Sequence, residues 1–432
     1  MDEAHQSSPS PARPATEASP GRAGSRSRFG LSRTFAALQH RNYRLFFAGQ
    51  LVSLIGTWMQ NVAQAWLVYA LTNSPFKLGV VSFCAGVPVL MFSLWAGVFA
   101  DRMPKRRLLL LTQTCMMTLA FLLAADMFLG TIAWWHIAVL AFLLGTANAF
   151  DAPARQAFVV EMVGRKELTN AIALNSAMFN SARIIGPALA GVMLAAVGTA
   201  WCFVLNGLSF LAVIAGLALM KVRPYVGAPS TESPVRQMRE GVSYIWHHPT
   251  VRPLIMLVAV SNLFSLGYLA LLPAFAQDVL HAGTVGYGFM STAIGVGALA
   301  GALIIASLGD YQRKGRMLTA GNLLFPAMVI ALSLSRSYHL TIGFLVVAGL
   351  GFMTQNATAN TLVQTTVADN LRGRVMSVYM MVFLGFFPIG SLIAGTVAER
   401  FGVQAGAAFG GVIALAYSLY LFWRVPAIRS LR

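Results

Sequence analysis

A few charged residues stand in stretches that otherwise exclude charge. Asp151 and Arg155 lie four residues apart, and Arg183 sits in NSARIIGPALAG, residues 180–191, followed by Gly186, Pro187 and Gly191. An arginine at the centre of a membrane helix costs about 2.5–3.5 kcal/mol, so such a residue needs a use. A carboxylate exchanges protons, whereas a guanidinium stays charged, its pKa above about 12. The chemistry on offer is proton exchange at Asp151, with Arg183 either paired toward Asp151 or binding an anionic ligand group. Arg155, one turn beyond Asp151, equally suits an ion pair that closes a helix end.

Uncharged polar residues repeat the pattern. Gln50, Ser53, Thr57, Asn61 and Gln64 recur at three- and four-residue steps, one stripe along an apolar helix. Asn148 precedes Asp151, and Asn180 precedes Arg183. Thr354 and Thr358 head a second stripe that continues through Thr361 and Thr365 beside Asn356, Asn360 and Gln364. Lipid offers these groups no hydrogen bond, so they either join helices or face water. Trp58, Trp66, Phe150 and Phe179 are packing residues or the aromatic walls of a cavity.

The elements that hold them are membrane helices. Of 432 residues, 57% are hydrophobic and 10% charged, against about 25% charged in soluble domains. Apolar runs of eighteen or more residues, each able to cross a core about 30 Å thick, place twelve spans. They cover 43–70, 77–99, 107–129, 135–156, 169–197, 201–221, 251–275, 285–309, 317–334, 339–361, 375–398 and 404–423. Alternate loops carry nearly all of the 31 Lys and Arg. Only Lys77, Arg336 and Arg400 fall in the other loops, and only Arg183 lies deep within a span. The positive-inside rule then puts both termini in the cytoplasm.

This topology accounts for the net charge of +17 and removes the case for nucleic-acid binding. Residues 1–34 are predicted to be a disordered basic tail, with a six-helix bundle over 35–222 and a linker over 223–250. In the linker, Val235, Met238, Val242, Ile245 and Trp246 share a helical face, which predicts an amphipathic helix on the inner membrane surface. A second bundle covers 251–424, and 425–432 form a short cytoplasmic tail.

The two bundles repeat each other. IGPALAG at 185–191 matches IGSLIAG at 389–395, and QAFVVEM at 156–162 matches QTTVADN at 364–370. GVFADRMPKRR at 97–107 matches ASLGDYQRKGR at 306–316, superposing Asp101 on Asp310 and Lys105 on Lys314. Such repeats mark alternating-access transporters, with the site between the halves near the midplane.

Gly97, Asp101, Arg102, Lys105 and Arg106 resemble the loop signature of the major facilitator superfamily, with Pro104 in place of its second glycine. HRNYRLFFAGQ, GTWMQNVAQAWLVYALTNSP, DAPARQAF and NSARIIGPALAG together resemble its bacterial drug:proton antiporter branch, which holds enterobactin-exporter and macrolide-efflux proteins. The resemblance implies an all-α membrane protein of two pseudo-symmetric six-helix bundles. It implies a latch in which Asp101 meets the start of span eleven, near Arg372 and Arg374, when the cytoplasmic side closes, with Gly97 allowing close approach. Gly186, Pro187 and Gly191 resemble the span-five antiporter signature, and are expected to pack on span eight at Gly297 and Gly301.

The expected function is proton-coupled export of a small amphipathic compound through the cytoplasmic membrane by a monomer; the alternatives are uptake or a lipid-like substrate in the same fold. An enzyme is disfavoured, because HExxH, GxSxG and P-loop patterns are missing. Gly295-x-Gly297 lies in an apolar run without a preceding strand, so it is no dinucleotide loop. Cys84, Cys115 and Cys202 are scattered through apolar runs and provide no metal or redox motif. No cofactor is expected. The partners are the substrate, protons and membrane lipids.

Overall fold

The computed structural model describes residues 35–221, 234–308 and 312–431; within these, the side chains of Leu94, Val98, Asp101, Arg165 and Pro234 are outside the described set, as is the whole of Asp310. The first half contains α1 (Arg41–Thr72), α2 (Pro75–Arg102), α3 (Lys105–Phe128), α4 (Trp134–Gly164), α5 (Lys166–Ala196) and α6 (Thr199–Leu219). A connecting helix, α7 (Pro234–His247), leads to α8 (Val251–Val279), α9 (Gly283–Leu308), α10 (Lys314–Leu334), α11 (Tyr338–Thr366), α12 (Asp369–Phe401) and α13 (Val403–Arg424).

Eleven of these helices, among the described residues, are long and apolar enough to cross a membrane. The twelfth is α1, whose 32 residues exceed the needed length but carry the polar stripe. With twelve crossings, the first and last described residues lie at the same face, here called the terminal face; the other is the distal face.

The helix ends follow local chemistry. Asn73 adopts φ 47° to end α1, and Ser74 then accepts the Lys77 N–H while Pro75 occupies the first turn of α2. Gly164 at φ 70° separates α4 from α5, a conformation open to glycine at little cost. The fourth span therefore runs well past residue 156. Span eleven begins at Asp369, which places Arg372 and Arg374 within its first turns instead of in a loop.

The glycine repeat is realised as a structural pseudo-symmetry. A β-carbon on Gly186 would lie 2.9 Å from the Ile55 carbonyl of α1, and one on Gly390 would lie 2.1 Å from the Leu263 carbonyl of α8. The second glycines cross between halves. Gly191 meets the Thr284 carbonyl of α9 at 3.1 Å, and Gly395 meets the Pro75 carbonyl of α2 at 2.6 Å. Gly288 and Gly295 are the α9 glycines that face α5, whereas Gly297 and Gly301 pack on Val346 and Leu350 of α11. The expected packing of Gly186 and Gly191 on Gly297 and Gly301 is corrected accordingly: Gly186 faces α1, Gly191 meets α9 near Gly288, and Gly297 and Gly301 lie on the side of α9 that faces α11.

The expected amphipathic connecting helix is present, and it has a second attachment. Ile245 is buried and Met238 packs on the core of the second half, while Val235, Val242 and Trp246 stay exposed. Glu240 pairs with Arg374, and a β-carbon on Gly241 would lie 2.7 Å from the Arg374 carbonyl. Helix α7 is docked on the start of α12, held by an ion pair as well as by its apolar face.

Candidate transport site

The seam between the halves is closed at the distal face. Tyr69 of α1 donates to Asp278 of α8, and Glu399 of α12 accepts from Ser74 Oγ (2.9 Å) and the Phe76 N–H (3.1 Å) at the start of α2. Trp66 stacks on Tyr287 with ring centroids 6.0 Å apart. Helices α2 and α12 touch closely from Gly79 and Ser391 to Leu90 and Gly385. Toward the terminal face they part, and added β-carbons on Gly97 and Gly373 would meet nothing within 4 Å. The close approach expected at Gly97 belongs to the arrangement in which this face is closed. At Gly97 and Gly373 the seam is open toward the terminal face.

Arg183 lies on this seam. Its guanidinium sits 5.9 Å from the Trp58 ring centroid, and Trp58 makes an edge contact with Phe179 at 5.7 Å. Tyr268 of α8 is close enough to interact electrostatically with Arg183. The backbone is fixed around it, since the Ile184 carbonyl accepts from Thr292 Oγ1 of α9 at 3.2 Å. No carboxylate pairs with Arg183 among the described residues. The glycine repeat superposes Arg183 on Phe387, so the helix packing that both halves share does not require an arginine.

Asp151 is held elsewhere. Only 1% exposed, its carboxylate accepts from Thr112 Oγ1 and Gln113 Nε2 of α3, both at 2.9 Å, and meets Arg155 Nε at 3.4 Å. The expected pairing of Arg183 toward Asp151 is not formed, because α3 and Arg155 already satisfy the acid. Asp126, in the last turn of α3, bonds Thr131 (2.5 Å) of the following loop and His136 (2.7 Å) of α4.

The polar stripes divide by role. In α1, Gln50, Ser53 and Gln60 are buried, and Gln60 accepts from Asn206 of α6 at 2.6 Å, a helix-joining bond. Thr57 and Gln64 are half-buried and Asn61 is exposed. Asn148 and Asn180 bond carbonyls of their own helices. In α11, Thr354 is half-buried and Thr358 is 3% exposed with no protein partner for Oγ1. Trp58 and Phe179 stand beside Arg183, whereas Phe150 packs on Phe92 and Phe99 of α2.

Helix α8 contributes residues that the linear pattern concealed. Its backbone widens into π turns at Ser261–Ser265 and Phe275–Val279, a distortion common at functional sites. Asn262 and Ser265 there are fully buried, and Asn262 Oδ1, Ser265 Oγ and Gln355 Nε2 have no protein hydrogen-bond partner. SNLFS reads as an ordinary apolar run, and only its Asn and Ser one turn apart hint at this.

The loop-signature residues occupy the terminal face. Lys105 pairs with Glu161 at 2.8 Å, and Arg106 donates to the carbonyls of Leu217 (2.7 Å) and Ala218 (2.9 Å) that end α6. Arg102 is exposed. Arg374 is engaged by Glu240, and Arg372 by Asp369 (2.5 Å) and the Gln364 carbonyl (2.9 Å).

Comparison with known proteins decides the family. Residues 32–431 match the family described as transmembrane secretion effector. The chain belongs to this family of major facilitator transporters. It is 26% identical over 385 residues to the staphyloferrin A transporter of Staphylococcus aureus, covering 88% of this chain and 95% of that one. It is 29% identical over 409 residues to the multidrug efflux pump Tap of Mycobacterium tuberculosis, covering 90% and 94%. The fold also matches a POT family transporter crystallised with a thioalcohol-conjugated peptide, at TM-score 0.71, 13% identity and coverage of 90% and 96%. The twelve-helix major facilitator fold and membrane location follow.

Proposed function

We propose that this transporter exports a small amphipathic compound bearing an anionic group across the bacterial cytoplasmic membrane, in exchange for protons, as a monomer with both termini in the cytoplasm. The observation that carries the reading is Arg183, without a carboxylate partner and beside Trp58 and Phe179 on a seam open to the terminal face. A charge kept in so costly a place suits a substrate anion, and the rings suit its apolar body. The names of the relatives, staphyloferrin A transporter and multidrug efflux pump, agree with that class.

Protons exchange at Asp151, whose carboxylate is bound by Arg155 and α3 until the helices move. Gln50, Thr57, Asn61, Gln64, Asn148, Asn180, Thr354 and Thr358 complete the pathway. When the terminal face closes, Asp101 and the start of α12 form the latch, and Arg374 is the residue whose bond to Glu240 then changes. The test is uptake of candidate compounds by inside-out vesicles with an imposed proton gradient. Uphill accumulation supports proton-coupled export, and accumulation only down the compound's own gradient removes the coupling.

A further inference from the structure

We propose that the end of α10 on the terminal face holds the phosphate headgroup of an anionic phospholipid. A cavity of about 770 Å³ opens there, lined by Arg313, Arg316 and Thr319 at the start of α10 and by Pro426, Arg429 and Ser430 after α13. Among the described residues, none of the three guanidiniums pairs with a carboxylate; Arg429 only faces the Phe422 ring at 5.9 Å.

The pseudo-symmetric corner of the first half is an internal control. The repeat places Lys105 on Lys314, Arg106 on Gly315 and Glu161 on Asp369. In the first half Lys105 pairs with Glu161 and Arg106 caps the final carbonyls of α6, while Arg107, the counterpart of Arg316, is exposed. In the second half, Asp369 turns to Arg372 instead. Backbone replaces the missing arginine, since the Gly315 N–H donates to the Leu431 carbonyl at 2.9 Å. A β-carbon at Gly315 would lie 2.0 Å from the Ile428 carbonyl, so the C-terminal segment is locked against α10 and the cavity wall is fixed. Topology alone requires basic residues at both corners; at this one, three of them stand around an open space.

Depth selects the ligand. Trp423, three residues before Pro426, is 75% exposed at the end of α13, and tryptophan settles at the headgroup level of a bilayer. Basic pockets between helix ends on this side of a membrane bind anionic headgroups. Placing the corner at the inner leaflet rests on the orientation proposed above; the binding itself needs neither orientation nor transport.

The test is native mass spectrometry of the detergent-purified full-length protein titrated with phosphatidylglycerol or phosphatidylcholine. Wild type should retain phosphatidylglycerol in preference. R313Q/R316Q/R429Q should weaken it roughly a hundredfold and R316Q alone roughly fivefold, from about 1 kcal/mol per basic residue. R313K/R316K/R429K should keep most of the affinity, which separates lost charge from lost folding. R336Q/R400Q, which remove two charges at the distal face, should change nothing. Undiminished binding in the triple glutamine variant, an equal loss in R336Q/R400Q, or displacement of the lipid by millimolar inorganic phosphate would each overturn the proposal.

Discussion

Gly288 of α9 meets Gly191 of α5 so closely that a β-carbon on Gly288 would lie 2.7 Å from the Gly191 Cα. Neither residue has an unusual backbone conformation; they are glycines because two helices from opposite halves touch at their backbones. The contact lies on the seam that is shut at the distal face, and in the proposed transport cycle it parts when that face opens. Gly288→Val adds overpacking of about 1–3 kcal/mol to this state alone. The distal-open population should rise by about tenfold or more, read as a longer distance between spin labels at Lys77 and His281.

The bond from Tyr69 to Asp278 supports the same closure. A hydrogen bond to a charged group contributes about 1.5–3 kcal/mol. Tyr69→Phe and Asp278→Asn should each lengthen the same spin-label distance, and the double variant should do no more than either alone. Additive effects would show that the two residues act separately.

Asp151 and Arg155 should be coupled in stability as well as in transport. Arg155→Gln leaves a buried carboxylate held only by Thr112 and Gln113. Removing a buried ion partner costs up to about 3–5 kcal/mol, and the two remaining bonds hold the loss below that. Thermal unfolding should fall for Arg155→Gln and recover when Asp151→Asn is added. Asp151→Asn alone should exchange substrate down its gradient without pH dependence.

Orientation has its own check. Cysteines at Arg107 and Arg313 should react only with reagents that reach the cytoplasm, and a cysteine at Lys77 should react from outside. External labelling at all three positions would reverse the assignment.

Much of this architecture was legible in linear form because membrane helices are written by long apolar runs, and loop charge is written by topology. The repeat IGPALAG and IGSLIAG marked Gly186, Gly191, Gly390 and Gly395 as packing positions, since both halves use one packing solution, but not that Gly186 meets α1 instead of span eight. What stayed hidden depended on rotation about helix axes. Gly295 and Gly297 are two residues apart, yet one faces α5 and the other α11. Asp151 looked available to Arg183 until Thr112 and Gln113 were seen to surround it. The π turns of α8, which concentrate unpartnered polar atoms at Asn262 and Ser265, follow from backbone geometry that composition does not encode.

The central claim is that Arg183 binds the anionic group of the substrate at the seam. Its most direct test is substrate-dependent proton flux in reconstituted vesicles carrying wild type, Arg183→Lys or Arg183→Ala. Loss of a charged hydrogen-bonding partner from a desolvated site costs about 2–5 kcal/mol, so Arg183→Ala should reduce substrate-driven flux by at least about thirtyfold. Arg183→Lys should retain an intermediate rate, because the charge survives and the planar fork does not. Wild-type flux from Arg183→Ala, in protein shown to be inserted and folded, would contradict the account.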